Sequence, residues 1–254
     1  MGAHDRLFGA QAAAYSEFRP SYPPALFTEL ARRAPALRRA WDVGTGTGQA
    51  ALGLAAHFEH VLATDVSAKM LAAATPHPRI TYRHLVDEPH DLADASFELV
   101  TVAQALHWFD LERFYATVQR VLAPGGLFAA WCYSLLEVEP AFDALVRDLH
   151  DVTLATDWPS PRRLVIEGYR SLPLPFPEEP CPAFALEREL TLPGVLGYFA
   201  TWSGLAAHRR RTGTDALHAL APALERVWGE PAHARPVRWP LHVRLARRPR
   251  REIP

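Results

Sequence analysis

"WDVGTGTGQAALGLAAHF" spans residues 41–58, and its reading decides the fold. It opens with an apolar, strand-like run and closes with an alanine-rich, helix-like one. Between them Gly44, Gly46 and Gly48 stand at alternate positions. Glycine there permits positive φ and lets the backbone come close to a ligand. Strand, glycine turn and helix together predict one step of an α/β sheet, whose ligands bind at the carboxyl ends of the strands. A tight turn with no ligand is the plain alternative. The spacing then separates ligand classes. No Gly-Lys-Ser/Thr ending is present, so this is not a Walker A loop. A dinucleotide fingerprint wants Gly or Ala at the sixth position from Gly44, where Gln49 stands. The pattern is Gly-x-Gly-x-Gly, preceded by Asp42.

Outward from this loop, short apolar or β-branched runs alternate with helical stretches. Strands are expected at 39–43, 60–65, 79–84, 97–104 and 126–133, and helices at 48–57, 67–74 and 110–122. That rhythm predicts a Rossmann-like, doubly wound α/β sheet with helices on both faces and right-handed crossovers. Two more helices are expected before the first strand, near 4–14 and 23–33. The second half reads differently, with helices expected at 137–155, 193–200 and 214–228. "SLPLPFPEEPCP" (171–182) is too rich in proline for a helix or central strand and reads as an extended connector. Residues 184–190 alternate like a strand, and 236–246 read as a late strand returning antiparallel to the sheet. The expected organisation is a catalytic domain of residues 1–135 and 236–254, with N-terminal lid helices and a cap insertion over 136–235.

Asp65 ends the second expected strand. A carboxylate there offers two oxygens to the two hydroxyls of a ribose. The competing role is capping of the next helix, but Ser67 is itself a good N-cap. Nicotinamide enzymes use the same acid, so Asp65 alone does not separate cofactors. Val66 and Met70 would be apolar neighbours for an adenine.

"WDVGTGTGQ" resembles motif I of the class I S-adenosylmethionine-dependent methyltransferases. The resemblance implies that Gly44, Thr45, Gly46, Gly48 and Gln49 pack under the amino acid part of that cofactor, with Asp42 reading its ammonium. It implies S-adenosylmethionine as cofactor and S-adenosylhomocysteine as product. "LVDEPHDLADASFELV" (85–100) is similar to the family's third-acid region and places the acceptor of the adenine amino group at Asp87 or Glu88. "AQALHWFD" (103–110) closes the fourth strand and resembles the type 11 subgroup, in a branch similar to trans-aconitate methyltransferases. It implies that Gln104, His107 and Trp108 face the reacting methyl. Packing is the plain alternative for His107 and Trp108. "FGAQAAAYSEFRPSYPPALFTEL" (8–30) resembles that branch's opening signature, implying that Tyr15, Arg19 and Tyr22 fold over the active site.

An in-line methyl transfer needs position and electrostatics from the protein. A base is needed only where the acceptor loses a proton, and His107 is the titratable candidate, with an ordinary pKa of about 6.5. For a carboxylate acceptor, Arg162, Arg163 and Arg209 to Arg211 are candidates, against plain solvated charge. Trp202 would help wall an acceptor pocket, although aromatics at helical spacing also build cores.

The bulk numbers narrow the partners. The net charge is -1, from 27 basic and 28 acidic residues, which disfavours nucleic acid or an anionic membrane. Two cysteines cannot frame a disulfide scaffold, so a reduced, cytoplasmic protein is expected. No apolar run approaches the ~20 residues of a membrane span, no secretory leader is evident, and no metal site is read. The expectation is a small-molecule methyltransferase, monomer or homodimer, with a carboxylic acid among the acceptor classes. The alternatives are a non-catalytic S-adenosylmethionine-binding protein and a nicotinamide oxidoreductase.

Overall fold

The computed structural model describes residues 21–86 and 89–250. The elements begin with α1 (Pro24–Arg33), β1 (Arg39–Val43), α2 (Gln49–Ala55), β2 (His60–Asp65), α3 (Ala68–Ala72) and β3 (Ile80–His84). Then come β4 (Phe97–Ala103), a 3-10 turn (Leu106–Trp108), α4 (Leu111–Val121) and β5 (Leu122–Tyr133). The second half holds α5 (Pro140–Asp148), α6 (Arg162–Ile166), β6 (Glu178–Glu179), β7 (Phe184–Leu190), α7 (Leu192–Ala200), α8 (Ser203–Thr212), α9 (Ala216–Trp228) and β8 (Arg235–Arg247).

The residues group into two compact units. One comprises, of the described residues, those of Tyr22–Tyr133, Leu164–Phe184 and 241–250; the other comprises 134–163 and 185–240. In the first, the strands run in the order β3-β2-β1-β4-β5-β8-β6. β1 pairs in parallel with β2 and β4, and β4 in parallel with β5. β8 closes antiparallel on β5, from Tyr133↔Leu241 to Leu127↔Arg247. This is the mostly parallel, Rossmann-like sheet with an antiparallel last strand that the sequence predicts. β4 is buried along nearly its whole length, as a central parallel strand must be. Trp41, Phe97, Val100, Tyr115, Val118, Phe128 and Tyr169 share its core.

The local chemistry of the helices is legible. Pro24 opens α1, where a missing N–H costs nothing. Ser67 caps α3 by accepting from Met70 N at 3.4 Å, and Asp110 caps α4 by accepting from Arg113 N at 3.4 Å. Gly53 has no room for a side chain because the Phe27 ring of α1 lies against it. Strand geometry in β5 begins at Leu122, ahead of the Pro124-Gly125-Gly126 corner, with a register irregularity between Phe97 and Leu99.

The second unit is mainly helical. α5 ends in a π-turn at Leu149–Thr153 instead of running on to 155. α8 is a helix that the sequence pattern did not separate. β7 pairs with β8 off the main strand path. Residues 164–184, read from sequence as part of the insertion, cluster with the sheet. The expected helix at 4–14 lies outside the described residues. Among the described residues no helix is long and apolar enough to cross a membrane.

Candidate active site

The strand order reverses at β1, which has β2 on one side and β4 on the other. Ligands of open α/β sheets bind at the strand carboxyl ends around such a switch point. The loop after β1 sits there. Gly44, Gly46 and Gly48 have φ of +68°, +58° and +84°, the left-handed region that glycine enters without strain. Gly44 is also sterically fixed, since a Cβ on it would stand 2.7 Å from Ala105 Cβ. Gly48 caps α2 and lies against the Tyr82 ring, and Gln49 opens that helix.

Two carboxylates stitch the loop. Asp42 is fully buried. It accepts from Thr45 Oγ1 at 2.6 Å and from Thr101 Oγ1 at 2.8 Å. Burial pushes its carboxyl up to about 6; the two threonine hydroxyls pull it back, and the nearby Asp65 charge adds to the rise. Asp42 therefore shapes the loop from beneath. Asp65, half-buried at the end of β2, accepts from Gly46 N and Ser67 N, each at 2.8 Å and each on a different oxygen. Both oxygens are thus fixed by backbone, and each keeps a further lone pair. Beside Asp65 the chain exposes Val66, with 61% of its surface accessible, and one strand over Val86, at 67%. Exposed large apolar side chains are few among the described residues, and two of them flank this acid. The Met70 methyl stands 3.5 Å from where a Gly46 Cβ would be.

Across the switch point, Gln104 directly follows β4. Its φ is +55°, a conformation costly for a side-chain-bearing residue, and its N–H donates to Trp131 O at 2.8 Å. The 3-10 turn then carries His107 and Trp108, both half-buried, with ring centroids 4.7 Å apart. His107 Nδ1 is 2.8 Å from the Tyr169 hydroxyl. Trp131, the register partner of Ala103, keeps a buried Nε1 without a hydrogen-bond partner among the described residues. The Tyr22 ring packs edge-on against Trp131 at 5.5 Å.

The structure therefore brings Asp42, Gly44, Thr45, Gly46, Gly48, Gln49, Asp65, Val66, Met70, Gln104, His107 and Trp108 to the same ends of neighbouring strands. Tyr15, Arg19, Asp87 and Glu88 lie outside the described residues. Trp202 is buried in the helical unit, with its ring among those of His150, Trp158, Tyr198 and Phe199. Arg211 makes a two-pronged ion pair with Asp157, at 2.8 and 2.7 Å. Arg162 lies 5.0 Å over the Trp158 ring. Sequence reasoning missed Tyr82, Val86, Thr101 and Tyr169. Only Tyr169 had a local signal, the turn-forming Gly168 before it. Among the described residues no group of three or more His, Cys, Asp or Glu side chains could hold a metal.

A model described as a methyltransferase domain matches residues 41–130, the stretch from β1 into β5. A Dictyostelium discoideum protein described as a methyltransferase is 30% identical over 87% of this chain and 85% of its own. The chain belongs to the methyltransferase family. A solved structure described as a type II methyltransferase, from Anaeromyxobacter dehalogenans, is 47% identical. It covers 92% of this chain and 99% of its own, with a TM-score of 0.85. A Saccharomyces cerevisiae protein, described as the probable S-adenosylmethionine-dependent methyltransferase CRG1, is 33% identical over 52% of this chain and 47% of its own. The chain is thus an enzyme of the methyl-transferring class, and the oxidoreductase alternative falls with the family.

Proposed function

We propose that this methyltransferase transfers a methyl group from S-adenosylmethionine to a small-molecule acceptor by in-line displacement, as a monomer or homodimer. One observation carries the donor half: a carboxylate with both oxygens fixed by backbone, set between a positive-φ glycine loop and two exposed valines. Those residues fit the donor. Asp65 would hold the ribose hydroxyls, and Val66, Val86 and Met70 the adenine. The loop over Gly44–Gly48 would hold the amino acid end, with Asp42 supplying negative charge beneath it. When bound, S-adenosylmethionine supplies an activated methyl carbon, so the protein's contribution is position and charge.

Gln104, His107 and Trp108 line the acceptor side. Where the acceptor must lose a proton, His107 takes it; a carboxylate acceptor needs no base. The motif "AQALHWFD" supports the narrower placing beside trans-aconitate methyltransferases, which makes small carboxylic acids the first acceptor class. The balanced charge supports an acceptor that is neither nucleic acid nor membrane.

Calorimetric titration with S-adenosylmethionine, S-adenosylhomocysteine and NAD tests this, with Asp65→Ala run alongside. The expected result is micromolar binding of the first two, no binding of NAD, and loss of about tenfold or more in the variant, the size of a charge-assisted hydrogen bond. NAD binding without S-adenosylmethionine binding would sink the reading.

A further inference from the structure

Tyr169 sits in the segment 164–184 and is fully buried, with its backbone in the left-handed region at φ +60°. Gly168 before it has φ +63°, and a Cβ there would stand 2.7 Å from the ring of His242. A bulky side chain held at positive φ is uncommon, so the surrounding structure must impose it. It does so from both directions. Tyr169 N donates to Leu164 O at 2.8 Å. Its carbonyl accepts from Arg244 Nη1, which also donates to Leu172 O, while the same guanidinium pairs with both carboxylate oxygens of Glu178. Tyr115 and Gln119 tie the following prolines through Pro173 O and Pro175 O. The strained backbone delivers one atom, the Tyr169 hydroxyl, to within 2.8 Å of His107 Nδ1.

The two imidazole nitrogens lie on opposite edges of the ring. A fixed partner on one sets the tautomer and the aim of the other. We infer that Tyr169 is the positioning residue for His107, locking the ring through Nδ1 so that Nε2 serves the acceptor side of the site. The inference rests on the acceptor-facing role given to His107 under the proposed function. It explains why the chain departs from the sheet for more than thirty residues after β5 and returns with a strained Gly168-Tyr169 pair. It also explains why a tyrosine is placed there. In this fixed geometry the phenol oxygen accepts from Nδ1–H and leaves Nε2 unprotonated, a hydrogen bond that a phenylalanine of the same shape does not supply.

The test is nitrogen-15 NMR of the imidazoles in the intact protein at about pH 8, where histidine is neutral. His107 is assigned by the signal lost in His107→Gln. In the wild type one tautomer should dominate. In Tyr169→Phe the tautomer ratio should move by about fivefold, the size of one net hydrogen bond. Binding of S-adenosylmethionine by Tyr169→Phe should stay within about twofold of wild type, because the donor pocket does not include Tyr169. The phenylalanine ring keeps the core filled, and a melting curve verifies the fold. Tyr115→Phe, which loses a hydroxyl to Pro173 O in the same segment, should leave the His107 signal unmoved. An unchanged tautomer ratio in Tyr169→Phe overturns the inference, as does an equal change in Tyr115→Phe. Failure of the donor titration would instead strike the proposed function and leave the NMR result readable.

Discussion

Asp157 of the helical unit and Asp42 of the sheet unit are two buried acids held in opposite ways. In the helical unit, Asp157 is locked by His208 Nδ1 at 2.9 Å and by both prongs of Arg211. The Arg211 guanidinium, more than the histidine, holds that carboxyl down to about 2. Among the described residues of this unit, positive φ falls at Gly213 and Gly229, both at helix ends, and a Cβ on either would meet nothing within 4 Å. In the sheet unit, buried Asp42 is met by the Thr45 and Thr101 hydroxyls and by the backbone of Ala51, and burial drives it the other way, up to about 6. Positive φ occurs there at Ala95, Gln104 and Tyr169 and at glycines, several of them hemmed in by neighbouring atoms. One unit neutralises its buried charge and relaxes its backbone. The other keeps an uncompensated acid and a strained backbone together at the ends of β1, β2 and β4. That contrast distinguishes a scaffold from a site, because strain and unpaired charge persist only where the surroundings hold them.

The sharpest way to break the contrast is a pair of glycine variants. Gly44→Ala meets both the φ penalty and the Ala105 Cβ, and should cost about 2–5 kcal/mol of stability and abolish S-adenosylmethionine binding. Denaturant melts and calorimetry read both effects. A Gly44→Ala protein of wild-type stability would mean that the loop is not the tight cradle its φ values describe.

Next in size is the titration of Asp42. Its folded pKa is raised above the ordinary 3.8, so its stabilising contribution is full below that value and is lost as pH rises through about 6. Asp42→Asn does not titrate. Its stability relative to wild type should therefore improve as pH rises, by roughly 3 kcal/mol across the window. Thermal melts of both proteins on either side of about pH 6 check the sign. A flat difference would mean that water reaches Asp42.

The smallest effect closes the comparison. Gly213→Ala shares a left-handed backbone with Gly44, at φ +75°, but has open space around it, so it should cost only about 1 kcal/mol and leave donor binding intact. Equal losses in the two glycine variants would erase the distinction between the units.

Much of this was legible in the linear pattern. β1, β2 and β7 begin and end where alternation and turn residues place them, because strand propensity, glycine turns and caps such as Ser67 and Asp110 are local effects. The donor side was legible for the same reason: Asp42, the glycine loop and Asp65 are set by their position relative to two strand ends. The neighbours that complete the donor side were less so. Val86 became part of the site only through the pairing of β3 with β2, and Thr101 only through the pairing of β4 with β1. α8 was missed because arginine occupies three consecutive positions at its end, which breaks the apolar period that marks a helix.

The sequence by itself determined the α/β class, the strands that carry Asp42 and Asp65, and the family, since spacing along a chain fixes which residues stand at a strand's carboxyl end. Only the tertiary structure decided that residues 164–184 join the sheet and that Tyr169 reaches His107, 62 positions away. A contact of that separation is set by the packing of Gly168 on His242 and by Arg244 on the Tyr169 carbonyl, and no local preference encodes it.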